Sequence, residues 1–138
     1  MAVINIDTTQ YDAQLNEKEQ RITEQFQRFG VKQLEVFSSE PINYRQRAEF
    51  RVWHDGDDLF HIMFDQQTKD KIRVDTFDPA APLVGEIMQV MIDNLKGCEV
   101  LRRKLFQIDY LSTLSGEILV SLLYHKPLDE HWLTEINA

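Results

Sequence analysis

The sequence predicts an α+β domain: an antiparallel strand ribbon or sheet packed with N-terminal and central amphipathic helices. Three observations carry that expectation. Across residues 44–75 apolar and polar side chains alternate with a period of two, which is the repeat of a strand with one buried face. Two stretches, after Asp7 and after Asp78-Pro79, repeat apolar residues at helical intervals. Residues 105–113 and 117–125 flank a turn at Ser115-Gly116 and read as a second hairpin.

In chain order, Asp7, Thr8 and Thr9 offer side-chain oxygens to cap a helix in which Tyr11, Leu15, Ile22, Phe26 and Phe29 recur up to Gly30. Glu17, Lys18, Arg21 and Glu24 occupy its other face, where solvation is their ordinary role. Residues 34–37 predict a short edge strand, ended by Pro41. Within 44–75 the even positions Ala48, Phe50, Val52, Phe60, Ile62, Phe64, Ile72 and Val74 predict three strands sharing a buried face, with a first turn at Asp55-Gly56. The odd positions Arg45, Arg47, Arg51, His61, Lys71 and Arg73 then give the opposite face positive charge.

Asp78-Pro79 predicts the start of the central helix, with Pro79 at the first helical position; Leu83, Ile87, Val90, Met91 and Leu95 form its stripe and Gly97 its end. In the second hairpin both parities of the return strand are apolar (Ile118, Leu119, Val120, Leu122, Leu123), which predicts a central strand covered on both sides. Pro127 opens a last helix over 128–137 whose Trp132, Leu133 and Ile136 have nothing following to bury them, so the chain reads as cut at its end.

At 138 residues, with neither a repeat nor an obvious linker, one domain spanning 1–138 is expected. A net charge of −8 and a pI near 4.9 argue against nucleic acid as a partner. The cations are nevertheless gathered at Arg45, Arg47 and Arg51 and at Arg102-Arg103-Lys104, and screening limits the reach of distant carboxylates. The single cysteine, Cys98, excludes an internal disulfide and fits a reducing compartment. There is no apolar run of membrane-spanning length, and the first residues lack the pattern of a signal peptide. A cytoplasmic protein with no membrane partner is the expectation.

Few residues suggest chemistry. His54, Asp55, Asp57, Asp58, His61 and Asp65 are metal-ligand types, but their spacing fits a solvated hairpin tip better, and no metal is expected. Cys98 lacks a histidine nearby in sequence and reads as an ordinary thiol. No glycine-rich phosphate loop or serine elbow occurs, so no catalytic residue is assigned. Arg45, Arg47 and Arg51, at two- and four-residue intervals, match the pitch of a phosphate backbone; pairing with Glu49, Asp75 and other carboxylates accounts for them equally well. Phe106 and His125 lie at an end of the second hairpin, where flat rings can stack on unpaired bases, or be a core side chain and a strand-end polar one.

The runs YRQRAEFRVWHDGDDLFHIMFDQQTK, KIRVDTF, LRRKLFQIDYL and VSLLYHKPLDEHW resemble the N-terminal part of the bacterial tRNA (uracil-5-)-methyltransferases that form the ribothymidine of the T-loop. The resemblance extends from about Tyr11 to the last residue. It implies a two-part enzyme: an RNA-recognition region, represented here, and a Rossmann-like domain that binds S-adenosylmethionine, absent from this chain. In that family a cysteine thiolate adds to C6 of the uridine and a methyl group passes to C5. The resemblance places those catalytic and cofactor residues in the absent domain, and Cys98 does not match the nucleophile's motif. This stretch alone is therefore expected to be inactive and not to bind S-adenosylmethionine.

Carried over by position, Phe106 and His125 match aromatic residues that the family sets against T-loop bases, and Arg51 lies in a block associated with RNA contact. Arg45 and Arg47 share that block, for contact with the tRNA T-arm or for the fold. Related ribosomal-RNA enzymes carry an extra β-barrel domain and iron–sulfur cysteines, which this chain lacks, so tRNA is the expected partner. The alternative is a stand-alone protein-interaction module whose basic sheet face meets an acidic partner.

Overall fold

The alternating and amphipathic stretches of the sequence supply the main elements of this chain, and a computed structural model describes residues 3–138. In order they are β1 (Val3–Ile4), α1 (Tyr11–Phe26), β2 (Arg47–Asp55), β3 (Asp58–Phe64), β4 (Lys71–Val74), β5 (Thr76–Phe77), α2 (Pro82–Lys96), α3 (Glu99–Arg102), β6 (Leu105–Ser112), β7 (Ile118–Tyr124) and α4 (Glu130–Asn137). The main sheet is antiparallel, in the order β4-β3-β2-β6-β7, while β1 and β5 form a separate parallel pair. The class is α+β. Among the described residues no helix is long and apolar enough to cross a membrane.

Register decides which side chains share a face. Asp55 pairs with Asp58 across a two-residue turn, with Gly56 at a φ of 60°, the conformation such a turn asks of glycine. Even residues of β2 therefore oppose odd residues of β3: Val52 faces His61 and His54 faces Leu59. The buried side of β3 is Leu59 and His61, with Met63 partly covered, and the expected trio Phe60, Ile62 and Phe64 lies on the other side. One change of parity at the turn moves the whole set. Ile62 is still only 2% exposed, because Arg51 and Arg73 flank it in register and long side chains cover apolar neighbours with their stems.

Ala48, Phe50 and Val52 of β2 and Ile108 and Tyr110 of β6 complete the buried face, against which α2 sets Val84, Met88 and Leu95. Phe50 meets Phe77 edge to face, with centroids 5.3 Å apart and planes 89° apart. Helix α2 begins at Pro82, three residues later than expected. Asp78 is used elsewhere: its carboxylate accepts from the Ile6 N–H at 3.1 Å, and its carbonyl accepts from the Asn43 N–H at 2.8 Å. With that later start the buried stripe turns as well, and Val90 is exposed.

A 3-10 turn at Thr8–Gln10, capped by Asp7 accepting from the Thr9 N–H at 3.0 Å, leads into α1, and a second at Gln27–Phe29 follows it and stops at Gly30 with a φ of 79°. No residue of α1 is buried, however, and Phe29 just beyond it is 66% exposed, so this helix adds nothing to the core of the sheet. The strand expected at 34–37 does not form; Phe37 is 88% exposed, and the Tyr11 hydroxyl donates to the Ser39 carbonyl at 2.7 Å. Strand β7 is an edge strand and not the central one. Ile118, Val120 and Leu122 pack on the core, whereas Leu119 on the opposite face is 62% exposed. Asp129 caps α4 by accepting from the Trp132 N–H at 2.9 Å, and the Trp132 ring packs edge-on against Tyr124.

Candidate nucleic-acid interface

With α2 covering one side, the other face of the sheet is left open. Strand β2 directs Arg47, Glu49, Arg51 and Trp53 to it, alternating with the buried Ala48, Phe50 and Val52. Lys71 and Arg73 of β4 join them, opposite Phe64 and Ile62. Gln107, Asp109 and Leu111 of β6 continue the same face across the sheet.

An irregularity places the next side chain. The pairing of β6 with β7 shifts between Leu105 and Gln107, so Phe106 is an extra residue in the ladder. Its half-buried ring stacks on the exposed His125, with centroids 3.8 Å apart and planes 17° from parallel. The Arg51 guanidinium lies 5.4 Å from the centre of the Phe106 ring. The His125 N–H donates to the Lys104 carbonyl at 2.8 Å, which fixes the end of the hairpin. Arg51, Phe106 and His125, distant in sequence, thus form one cluster.

The other two expected arginines differ from Arg51. Arg47 shares its face but is ion-paired with Glu49. Arg45 precedes the strand and is turned into a bridge with Ala80, its N–H donating to the Pro79 carbonyl and its carbonyl accepting from the Ala81 N–H. The three therefore do not line a single strand face. Arg51 lies on the open face and has no carboxylate within 4.0 Å among the described residues, so its charge is not neutralised there. Arg102 is engaged with the Asp57 carbonyl at 3.0 Å and its carboxylate at 3.4 Å.

His61, expected on the basic face, lies in the core. Its Nε2 is 2.7 Å from the Tyr110 hydroxyl, and burial lowers its pKa to about 4, partly opposed by the charge of Asp75. Burial likewise raises the Tyr110 pKa, so the phenol stays protonated and shares a hydrogen bond with the neutral imidazole. His54 Nε2 lies 2.8 Å from the Leu105 carbonyl, and Asp65 accepts from the Gln67 and Thr68 N–H groups of its own turn. Among the described residues no three such ligands gather as a metal site. Cys98 is half-buried, its Sγ 3.7 Å from a Glu135 carboxylate oxygen.

Sequence reasoning passed over two further contacts on the open face. The Lys71 ammonium lies 3.3 Å from the centre of the Trp53 ring, and the Arg73 guanidinium lies 4.3 Å from that of Phe60. The signal was present in the odd parity of Trp53, which sets it beside Arg51.

A family model described as tRNA (Uracil-5-)-methyltransferase matches residues 10–138. The chain belongs to the tRNA (uracil-5-)-methyltransferase family. A tRNA/tmRNA (uracil-C(5))-methyltransferase of Pseudoalteromonas translucida is 91% identical over 138 residues, all of this chain and 38% of that protein. Proteins of the same description from Vibrio parahaemolyticus and Shewanella amazonensis are 52% and 55% identical, over 100% and 96% of this chain. The chain spans 36 to 38% of the length of these relatives. Every residue of the open-face cluster falls inside the stretch that matches the tRNA (uracil-5-)-methyltransferase model.

Proposed function

We propose that this chain is the RNA-gripping part of a cytoplasmic tRNA/tmRNA uracil-C5-methyltransferase and that it holds the T-loop of the T-arm. The stacked rings of Phe106 and His125 under the Arg51 guanidinium are the observation that carries this reading. Flat rings on an open sheet take unpaired bases on their faces, while an unneutralised guanidinium takes phosphate. The target uridine of a folded loop has to leave its stack before its C5 is accessible, and a protein ring that takes the place of a base lowers the cost of that step. Arg47, exposed on the same face but ion-paired with Glu49, adds weaker backbone attraction, and Arg45, exposed before the strand begins, lies off that face.

For the whole enzyme the methyl donor would be S-adenosylmethionine. The described residues do not fit it: the main sheet has no parallel strand pair to lead into a glycine-rich phosphate turn, and a side chain added at Gly30, Gly56, Gly85 or Gly116 would meet open space. No step of methyl transfer is therefore assigned to residues of this chain.

The test is binding of a T-arm hairpin RNA at low salt. Phe106→Ala and His125→Ala are each expected to weaken binding by about 1 to 3 kcal/mol without change in melting temperature. Unchanged affinity in the folded variants overturns the reading, and preference for an acidic protein surface over RNA would favour an interaction module instead.

A further inference from the structure

Four cations lie on the open face of the sheet, and they divide into two kinds. Arg47 is neutralised by Glu49, and Arg73 by Asp75 at 3.0 Å and Asp58 at 3.5 Å. Arg51 and Lys71 have no carboxylate within 4.0 Å among the described residues; each lies instead over an aromatic ring, Arg51 over Phe106 and Lys71 over Trp53. Contact with a ring holds a cation in place without cancelling its charge. Trp53 is 40% exposed, although burial is the usual state of so large an apolar ring.

We infer that Trp53 and Lys71 form a second RNA subsite, which takes a base on the indole and its phosphate on the ammonium, next to the Arg51 cluster. This rests on the RNA reading given above. Trp53 follows Arg51 by two residues on the same face of β2, so the two subsites adjoin and one RNA strand reaches both. Lys71 is a flexible point charge, and its move from ring to phosphate uncovers the indole for the base. The site is sequence-tolerant, because every base has a face to stack and every nucleotide a phosphate.

Two readouts on the chain titrated with a T-arm hairpin RNA test this. RNA should quench indole emission, and Trp53→Phe, with Trp132 still in place, should abolish the quenching while keeping most of the affinity; Trp53→Ala should lose roughly tenfold. Lys71→Gln should lower the slope of log affinity against log salt by about 0.7 to 0.9, with Lys71→Arg restoring it. RNA binding without indole quenching, or a slope unchanged by Lys71→Gln, overturns this subsite and leaves the Phe106 and His125 reading standing. Failure of the unsubstituted chain to bind the RNA overturns both.

Discussion

Phe106 and His125 lie flat against each other, their ring centroids 3.8 Å apart, with no room for a base between them. They therefore form a two-ring stack with the Arg51 guanidinium over Phe106 and His125 exposed, which on the RNA reading proposed above is a platform for an unpaired base.

A platform built of two rings loses its function when either is removed. Alanine at Phe106 and alanine at His125 are expected to be non-additive in T-arm RNA affinity, with a coupling of about 0.5 to 3 kcal/mol in a double-mutant cycle. Strict additivity would show that the two rings act on separate nucleotides.

The buried pair of His61 and Tyr110 makes stability depend on pH. The folded pKa of His61 is about 4 against an ordinary 6.5, so the unfolded chain binds the proton more readily. The contribution is complete above pH 6.5, is lost as pH falls toward 4, and amounts to roughly 3 kcal/mol across that window. Urea unfolding at several pH values checks it. His61→Leu combined with Tyr110→Phe should flatten this part of the curve, since no buried hydroxyl is then left unpaired.

Phe50 is the centre of the core, touching the rings of Phe77, His61 and Tyr110. Phe50→Ala should cost about 3 to 5 kcal/mol of unfolding free energy, by chemical denaturation.

Helix α1 predicts the opposite result. Since none of its residues is buried, Ile22→Ser and Phe26→Ser should change the stability of this chain by no more than about 0.5 kcal/mol. A larger loss would mean that the helix packs on the sheet after all.

The five strands of the main sheet, its two hairpin turns and the presence of both long helices were legible because period and turn chemistry are local, whereas the short β1–β5 pair, the missing strand at 34–37 and the start of α2 at Pro82 were not. The side of β3 was not. Phe60, Ile62 and Phe64 carry a regular apolar pattern, but the two-residue turn at Gly56 and Asp57 reverses parity, and the imidazole of His61 enters the core with Tyr110 as its partner. The edge position of β7 was hidden for a related reason: Leu119 and Leu123 make the strand apolar on both faces, yet only one face is covered. For the candidate site, spacing and side-chain chemistry named the residues and the family resemblance favoured their RNA role, whereas their meeting depends on the irregular register at Phe106, which no repeat in the sequence announces. Arg45 looked equivalent to Arg51 by spacing alone, and the bridge to Ala80 removes it from the strand.

The most direct measurement is an NMR titration of the isotope-labelled chain with a T-arm hairpin RNA. The largest shifts are expected at the amides of Arg51, Phe106 and His125, on the open face of the sheet. Shifts confined to α2 on the covered side, with those three unmoved, would contradict the assignment of this face to RNA.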